Sequence, residues 1–310
     1  MRVSKSVLIT GAHGFLGRHA ALEFKKEGCR VTGMGHGSWG AGEHALWGID
    51  RYIETDITLP ALEGFGKEKF DVIVHCAGSG SVRYSLAHPL EDFSRTVGTT
   101  AAVLEYMRLR QGAATLIYPS SAAVYGARAD SPIMEDAPTD PISPYGCHKH
   151  MVEEMCKSFS KNFGLRTLII RFFSLYGRGL RKQLLWDACK KFSSGNGESV
   201  FFGDGEETRD WLHINDAARL IAAMTEYGGS FSIINGGSGL RVTNREVLEL
   251  LASEFGPGQT VRFNGKIPNG DPRFYLADLS GSAWCGWRPL VSLKDGVSDY
   301  VNWFKEAGAA

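Results

Sequence analysis

The sequence predicts an α/β chain in which a doubly wound parallel sheet carries a smaller C-terminal lobe. Three observations predict it. Through the first half, short apolar runs alternate with helical patterns; a Gly-rich turn joins the first run to the first helix; and after Arg171 the rhythm changes to Gly-rich turns, aromatics and shorter elements. Strands that are apolar throughout need cover on both faces, and helices on either side of a parallel sheet supply it.

Val7-Leu8-Ile9-Thr10 reads as the first buried strand. Residues 15–27 carry apolar side chains at helical spacing until Gly28 stops them. Further strands are expected at residues 29–34, 71–75, 114–118 and 166–171, which makes residues 1–175 the first domain. The second lobe is expected from two separated pieces, residues 176–210 and 239–310. Between them residues 211–238 return to the first domain, with a helix around 215–227 and a strand around 231–235. Residues 292–306 form a closing helix whose Leu293, Val297, Tyr300, Val301 and Phe304 share one face, which implies packing rather than chemistry.

The 310 residues hold 34 Lys and Arg against 34 Asp and Glu, so no electrostatic grip on nucleic acid or a membrane surface is implied. With 43% hydrophobic and 22% charged residues, the chain has the apolar content of a globular protein. Its six cysteines are scattered without CxxC pairs, and no His/Cys cluster has zinc spacing, so neither a disulfide framework nor a metal is implied. The apolar run after the first residues is too short for a signal peptide or a membrane span, which makes the cytoplasm the expected location.

Gly11-Ala12-His13-Gly14-Phe15-Leu16-Gly17 lies where the first strand ends and the first helix begins. Three glycines there allow a tight turn, bring backbone N–H groups to a pyrophosphate and let helix and strand pack closely, while the helix N-terminus favours negative charge. The turn therefore predicts dinucleotide binding, with a bland Gly turn as the alternative. Tyr145-Gly146-Cys147-His148-Lys149 places Tyr and Lys four apart, on one face of a helix. A Lys149 cation beside it would lower the Tyr145 phenol pKa and make it a usable acid/base; taken alone, such a spacing also occurs on ordinary surfaces. Upstream, Ser120-Ser121-Ala122-Ala123-Val124-Tyr125-Gly126 follows an apolar strand, so a Ser hydroxyl would stand at the carboxyl end of the sheet, where such folds bind ligands.

Together these strings resemble the extended short-chain dehydrogenase/reductase family, and within it the NAD-dependent sugar-nucleotide epimerases and dehydratases. The resemblance runs along nearly the whole chain. It includes Thr55-Asp56-Ile57, His75-Cys76-Ala77-Gly78, Arg171-Phe172-Phe173-Ser174-Leu175-Tyr176-Gly177, Gly203-Asp204-Gly205, Arg209-Asp210-Trp211 and Gly270-Asp271-Pro272-Arg273.

The resemblance implies a Rossmann-type sheet with a substrate-binding lobe, and it implies residue roles. Tyr145 would exchange a proton with a sugar hydroxyl while hydride passes between the sugar carbon and the nicotinamide. Lys149 would bind the nicotinamide ribose and depress the Tyr145 pKa, and Ser121 would hydrogen-bond the reacting oxygen. Ser121, Tyr145 and Lys149 are thus the expected catalytic set. The expected cofactor set is Gly11, Gly14, Phe15, Leu16, Gly17, His36, Asp56, Ile57, Ala77, Gly78 and Ser120 with Tyr145 and Lys149. For the nucleoside diphosphate sugar, Ser81, Ser174, Arg209 and Arg273 are expected, the two guanidinium forks suiting a diphosphate. For Arg209 a solvated salt bridge with Asp210 or Glu207 is the plainer alternative. Phe201-Phe202 would border the nucleobase. The family commonly dimerises through two helices of the first domain, so a homodimer is expected.

Departures from the family pattern narrow the reaction. Dehydratases carry an Asp-Glu pair after the catalytic hydroxyl residue; here Ala122 and Ala123 stand there, and no carboxylic acid is available to protonate a leaving hydroxyl. NAD-specific members end the second strand with an acidic residue, whereas this chain reads Met34-Gly35-His36-Gly37-Ser38, which leaves NADP open with His36 and Ser38 as phosphate contacts. Gly80 replaces the Lys that follows the HxAG string in Gal-type epimerases, Thr96 replaces an Asn, and Ser174 replaces an Asn; the first two would loosen a retained cofactor. The reading that results is an NAD(P)-dependent nucleotide-sugar 4-epimerase. Its alternatives are an NAD(P)H-dependent reductase of a 4-keto-6-deoxy nucleotide sugar and a non-catalytic dinucleotide sensor.

Overall fold

The computed structural model describes residues 4–195, 197–266 and 272–308. Gly270 and Asp271 of the expected Gly-Asp-Pro-Arg string lie outside the described residues.

Seven parallel strands form the main sheet: β1 Ser6–Thr10, β2 Arg30–Gly35, β3 Arg51–Glu54, β4 Val72–His75, β5 Thr115–Ser121, β6 Arg166–Phe172 and β7 Phe231–Gly236. Their order is β7-β6-β5-β4-β1-β2-β3, so the chain starts in the middle, winds to one edge and then back past the start to the other. That reversal opens a crevice at the carboxyl ends of β1 and β4, the place where doubly wound sheets bind ligands.

Period-two alternation divides the strand side chains between two cores. Val7, Ile9, Val31, Val74, Ile117 and Ile170 pack on one face with Ala20, Ala21 and Phe24 of α1 (Phe15–Lys26). Leu8, Ile73, Leu116 and Ile169 pack on the other with Val103 and Met107 of α2 (Thr99–Arg110) and Val152 and Cys156 of α3 (Pro144–Phe163). Both faces are buried, which is why the strands read as unbroken apolar runs.

A third core belongs to the second lobe. Leu185, Ala188 and Phe192 of α4 (Gln183–Ser193) meet Val247 and Leu251 of α6 (Asn244–Glu254) and Val297, Tyr300 and Phe304 of α7 (Leu293–Glu306). The N-terminus of α7 is capped by Ser292, whose hydroxyl accepts from the Asp295 amide at 3.1 Å. Helix α5 (Ile214–Met224) belongs instead to the main sheet, with Ala217, Leu220 and Ile221 packed beside α1. Two-stranded pairings tie the lobe's distant pieces: residues 198–201 lie beside 260–263, and 208–209 beside 242–243.

Strand β3 is absent from the expected strands. It is an edge strand with only partial burial and a charge at each end, Arg51 and Glu54, so it lacks the apolar run that reveals its neighbours.

Candidate active site

A cleft of about 1360 Å3 runs between the carboxyl edge of the sheet and the second lobe. It exceeds the roughly 300–1,000 Å3 of an ordinary small-ligand pocket, which leaves room for two ligands. At one end lies the Gly-rich turn. Gly11 has φ +67°, and a Cβ there would stand 2.6 Å from the Ala77 amide nitrogen; a Cβ on Gly17 would stand 2.3 Å from the Gly11 carbonyl oxygen. The turn and the segment just after β4 therefore touch backbone to backbone. Gly14 caps α1 with no side-chain hydrogen bond, so the first amides of that helix face the cleft without a protein side chain accepting from them. Open donors and a helix dipole at a cradle free of side chains fit a pyrophosphate, and the residues present thus suit a dinucleotide.

Beside the cradle, His75 is fully enclosed. Its Nδ1 lies 2.6 Å from Thr10 Oγ1 and its Nε2 lies 3.1 Å from Thr100 Oγ1, and burial drops its pKa to about 3, which keeps it neutral. His75 therefore pins β4 to β1 and α2 rather than taking part in chemistry. The Thr96 hydroxyl accepts from the Ser79 amide at 3.3 Å, so the residue standing where an Asn is usual still holds the loop after β4.

The catalytic set converges from two elements. Ser121 ends β5, and its hydroxyl accepts from the Ala123 amide at 3.2 Å, fixing the side chain at the mouth of the sheet. Helix α3 starts where Ser143 accepts from the Gly146 amide at 3.2 Å and Pro144 supplies a preset φ, and it ends at Gly164 in the left-handed region. Tyr145 and Lys149 then sit one turn apart facing the cleft, and all three residues line it. A Cβ on Gly146 would reach within 2.6 Å of the Ala123 carbonyl oxygen, so only glycine lets α3 approach the Ser121 turn this closely.

The electrostatics differ from the sequence expectation in one respect. Burial pushes the Tyr145 phenol up to about 12, and the influence that pulls it down is the Ser121 hydroxyl rather than Lys149. The Lys149 ammonium donates to the Pro119 carbonyl at 2.8 Å and lies 5.9 Å from the Tyr145 ring centre; burial lowers its own pKa to about 8.

Other expected residues divide clearly. Gly11, Gly14, Phe15, Leu16, Gly17, Gly78, Ser174 and Arg209 line the cleft, as do Phe201 and Phe202. His36, Asp56, Ile57, Ala77, Ser81 and Arg273 do not line it. His36 and Asp56 are exposed, Ile57 packs in the core, and Ala77 meets the Gly11 turn through its backbone. Ser81 caps the following helical turn, accepting from the Tyr84 amide at 3.2 Å. Arg273 turns outward to Asp204 at 2.8 Å, while its neighbour Pro272 borders the cleft. Ser120 reaches the cleft, and its hydroxyl donates inward to Glu153 at 2.5 Å. Arg209 is buried rather than solvated and donates to the Thr208 carbonyl at 2.8 Å. Asp210 is occupied elsewhere, accepting from the Ser238 hydroxyl and from the Gly239 and Ala277 amides.

Sequence reasoning missed Glu54. This carboxylate ends β3 in register with Gly35 and accepts from the Ser38 hydroxyl at 2.6 Å. It is exposed and does not line the cleft, but it engages the Ser38 hydroxyl expected to meet a 2′-phosphate. A 2′-phosphate beside Glu54 would meet like charge, which favours NAD over NADP.

Fold and site together define a dinucleotide-dependent enzyme with a Ser/Tyr/Lys set. The model of the NAD dependent epimerase/dehydratase family matches residues 7–237. A UDP-glucose 4-epimerase of Azospirillum brasilense is 29% identical, the alignment covering 95% of this chain and 90% of that one. Among solved structures, UDP-glucose 4-epimerase from Thermotoga maritima with UDP-glucose superposes with a TM-score of 0.89 at 25% identity, covering 97% of this chain and 99% of that one. UDP-glucuronic acid 4-epimerase from Bacillus cereus with UDP-glucuronic acid and NAD gives 0.86 at 26%, with the same coverage. This chain belongs to the NAD dependent epimerase/dehydratase family of the extended short-chain dehydrogenases/reductases.

Among the described residues no helix is long and apolar enough to cross a membrane, and no group of three or more His, Cys, Asp or Glu is placed to hold a metal.

Proposed function

We propose that this protein is an NAD-dependent nucleotide-sugar 4-epimerase. The observation that carries the reading is the meeting of Ser121, Tyr145 and Lys149 in the cleft that also holds the Gly-rich cradle, with Ala122 and Ala123 where a dehydratase needs acids. Among the described residues, the carboxylates that line the cleft are Asp187 and Glu207.

NAD, when bound, supplies a hydride acceptor and donor for the sugar C4. Tyr145 takes the proton from the C4 hydroxyl as that carbon is oxidised and returns it after the 4-keto sugar has presented its other face. Ser121 donates to the same oxygen throughout. Lys149 keeps a positive charge beside the phenol and binds the ribose next to the nicotinamide. Arg209 faces the substrate diphosphate. No net redox change accumulates, because the hydride removed is the hydride returned.

We further propose the two-lobe division at residues 1–175 with 211–238, and 176–210 with 239–310, a cytoplasmic location, and a homodimer. Leu109 on α2 and Met151 and Phe163 on α3 leave apolar side chains exposed, which suits association through those two helices. Sedimentation as a monomer at all concentrations would remove the homodimer.

Freshly purified protein, denatured and resolved by chromatography and mass, is expected to release NAD at about one per chain. An epimerase that reuses its hydride keeps its cofactor, and UDP-hexose interconversion is then the assay. Empty protein that prefers NADPH to NADH would instead establish the ketoreductase.

A further inference from the structure

Gly80, which stands where Gal-type members place a Lys after the HxAG string, is met by a cation from elsewhere in the chain. Lys182 leaves the second lobe just before α4, crosses the cleft mouth, and donates its ammonium to the Gly80 carbonyl at 3.0 Å. A Cβ on Gly80 would stand 2.9 Å from that nitrogen, so the ammonium fills the space a side chain at position 80 would start from. The two residues are 102 apart in sequence and belong to different lobes.

The crossing is solvent-exposed, and three features bear on what it could hold. Lys182 lines the same cleft as Gly78 and Ser79, the loop expected to hold the dinucleotide, and its charge is close enough to Lys149 to oppose protonation there. Only protein crowding, and no carboxylate among the described residues, perturbs Lys182 itself. Gln183, the next residue, has φ +70° and is the one non-glycine residue in the left-handed region among those described. Backbone strain of this kind persists only where the surrounding structure over-determines it.

We propose that Lys182 is the cation that holds the dinucleotide pyrophosphate against the Gly78–Gly80 loop, delivered from the second lobe in place of a local lysine. The inference rests on the NAD reading above. It makes cofactor retention depend on the second lobe, so that closing the lobes and gripping the cofactor are one event.

The test titrates NAD into dinucleotide-stripped wild type, Lys182→Met, Lys182→Arg and the double variant Lys182→Met with Gly80→Lys, by tryptophan quenching at low and high salt. Lys182→Met is expected to weaken NAD binding roughly ten- to hundredfold, the scale of a lost hydrogen bond to a charged group. It should also flatten the salt dependence while leaving the melting temperature of the stripped protein unchanged. Lys182→Arg and the double variant should recover most of the affinity, because either returns a cation to the same place. Equal NAD affinity in wild type and Lys182→Met overturns the inference and leaves the NAD reading standing. A wild type that binds no NAD overturns both. A loss confined to UDP-glucuronate binding, with NAD unchanged, places the cation on a substrate carboxylate and overturns it as well.

Discussion

Tyr145→Phe is expected to bind NAD as tightly as the wild type and to lose roughly 10²–10⁴ in turnover, the range that positioned acid/base groups contribute. The ring stays, so the packing of α3 against the Ser121 turn is kept; only the atom that exchanges a proton with the C4 oxygen is gone. Burial holds the phenol up at about 12, so near neutral pH the proton rests on Tyr145 and the ionised base is scarce. In the wild type the rate should therefore rise with pH. Lys149, lowered to about 8 by burial, stays cationic below that value, and its loss of charge should end the rise there. Steady-state turnover against pH, with bound NAD measured in parallel, checks both parts. Undiminished turnover in Tyr145→Phe would remove Tyr145 from the chemistry. A normal rate limb with lost NAD binding would mean that the phenol serves the cofactor and not the sugar.

What the sequence disclosed and what it concealed follow from where the interactions lie along the chain. Strands β1, β4, β5 and β6 were legible because each is buried on both faces and carries its own apolar run. The cradle and the Tyr/Lys spacing were legible for a related reason: a tight turn and one helical turn are local geometries, written in a few consecutive residues. Strand β3 and the paired fragments of the second lobe were not, since residues 198–201 become a strand only by lying beside 260–263. The same division runs through the site. Ser121, Tyr145 and Lys149 were found in order along the chain, while Glu54, Lys182 and Glu153 matter through partners that the fold brings from elsewhere. Ser120 shows the limit in a single residue: adjacent to Ser121 in sequence and lining the same cleft, it turns its hydroxyl to Glu153.

That core contact leads to the largest stability effect expected, from Glu153→Ala. Glu153 lies one turn beyond Lys149 on α3 and has a side chain 1% exposed; Arg171 on β6 meets it at 2.7 Å and is 5% exposed. The guanidinium also donates to the Glu135 carbonyl at 2.9 Å, and Ser120 donates to Glu153. Burial by itself would raise the Glu153 carboxyl, but His150 at 3.9 Å, with hydrogen bonds from Arg171 and Ser120, holds it below the usual carboxylate value. Removing the carboxylate strands the Arg171 charge inside the protein, which typically costs about 3–5 kcal/mol. For a chain of this size the melting temperature should fall on the order of 5–10 °C. The sign of the pH dependence follows from the lowered pKa. The contribution is complete above the unfolded carboxyl value of about 4.3 and is lost as pH falls through the lower folded value, so wild type and variant should converge in acid. Because α3 carries Tyr145 and Lys149, the variant should also lose turnover in proportion to the looseness of that helix, with Glu153→Gln milder on both counts. Calorimetry between pH 3 and 8 measures the gap; a gap that stays constant across that range would mean that the pair contributes packing and no charge interaction.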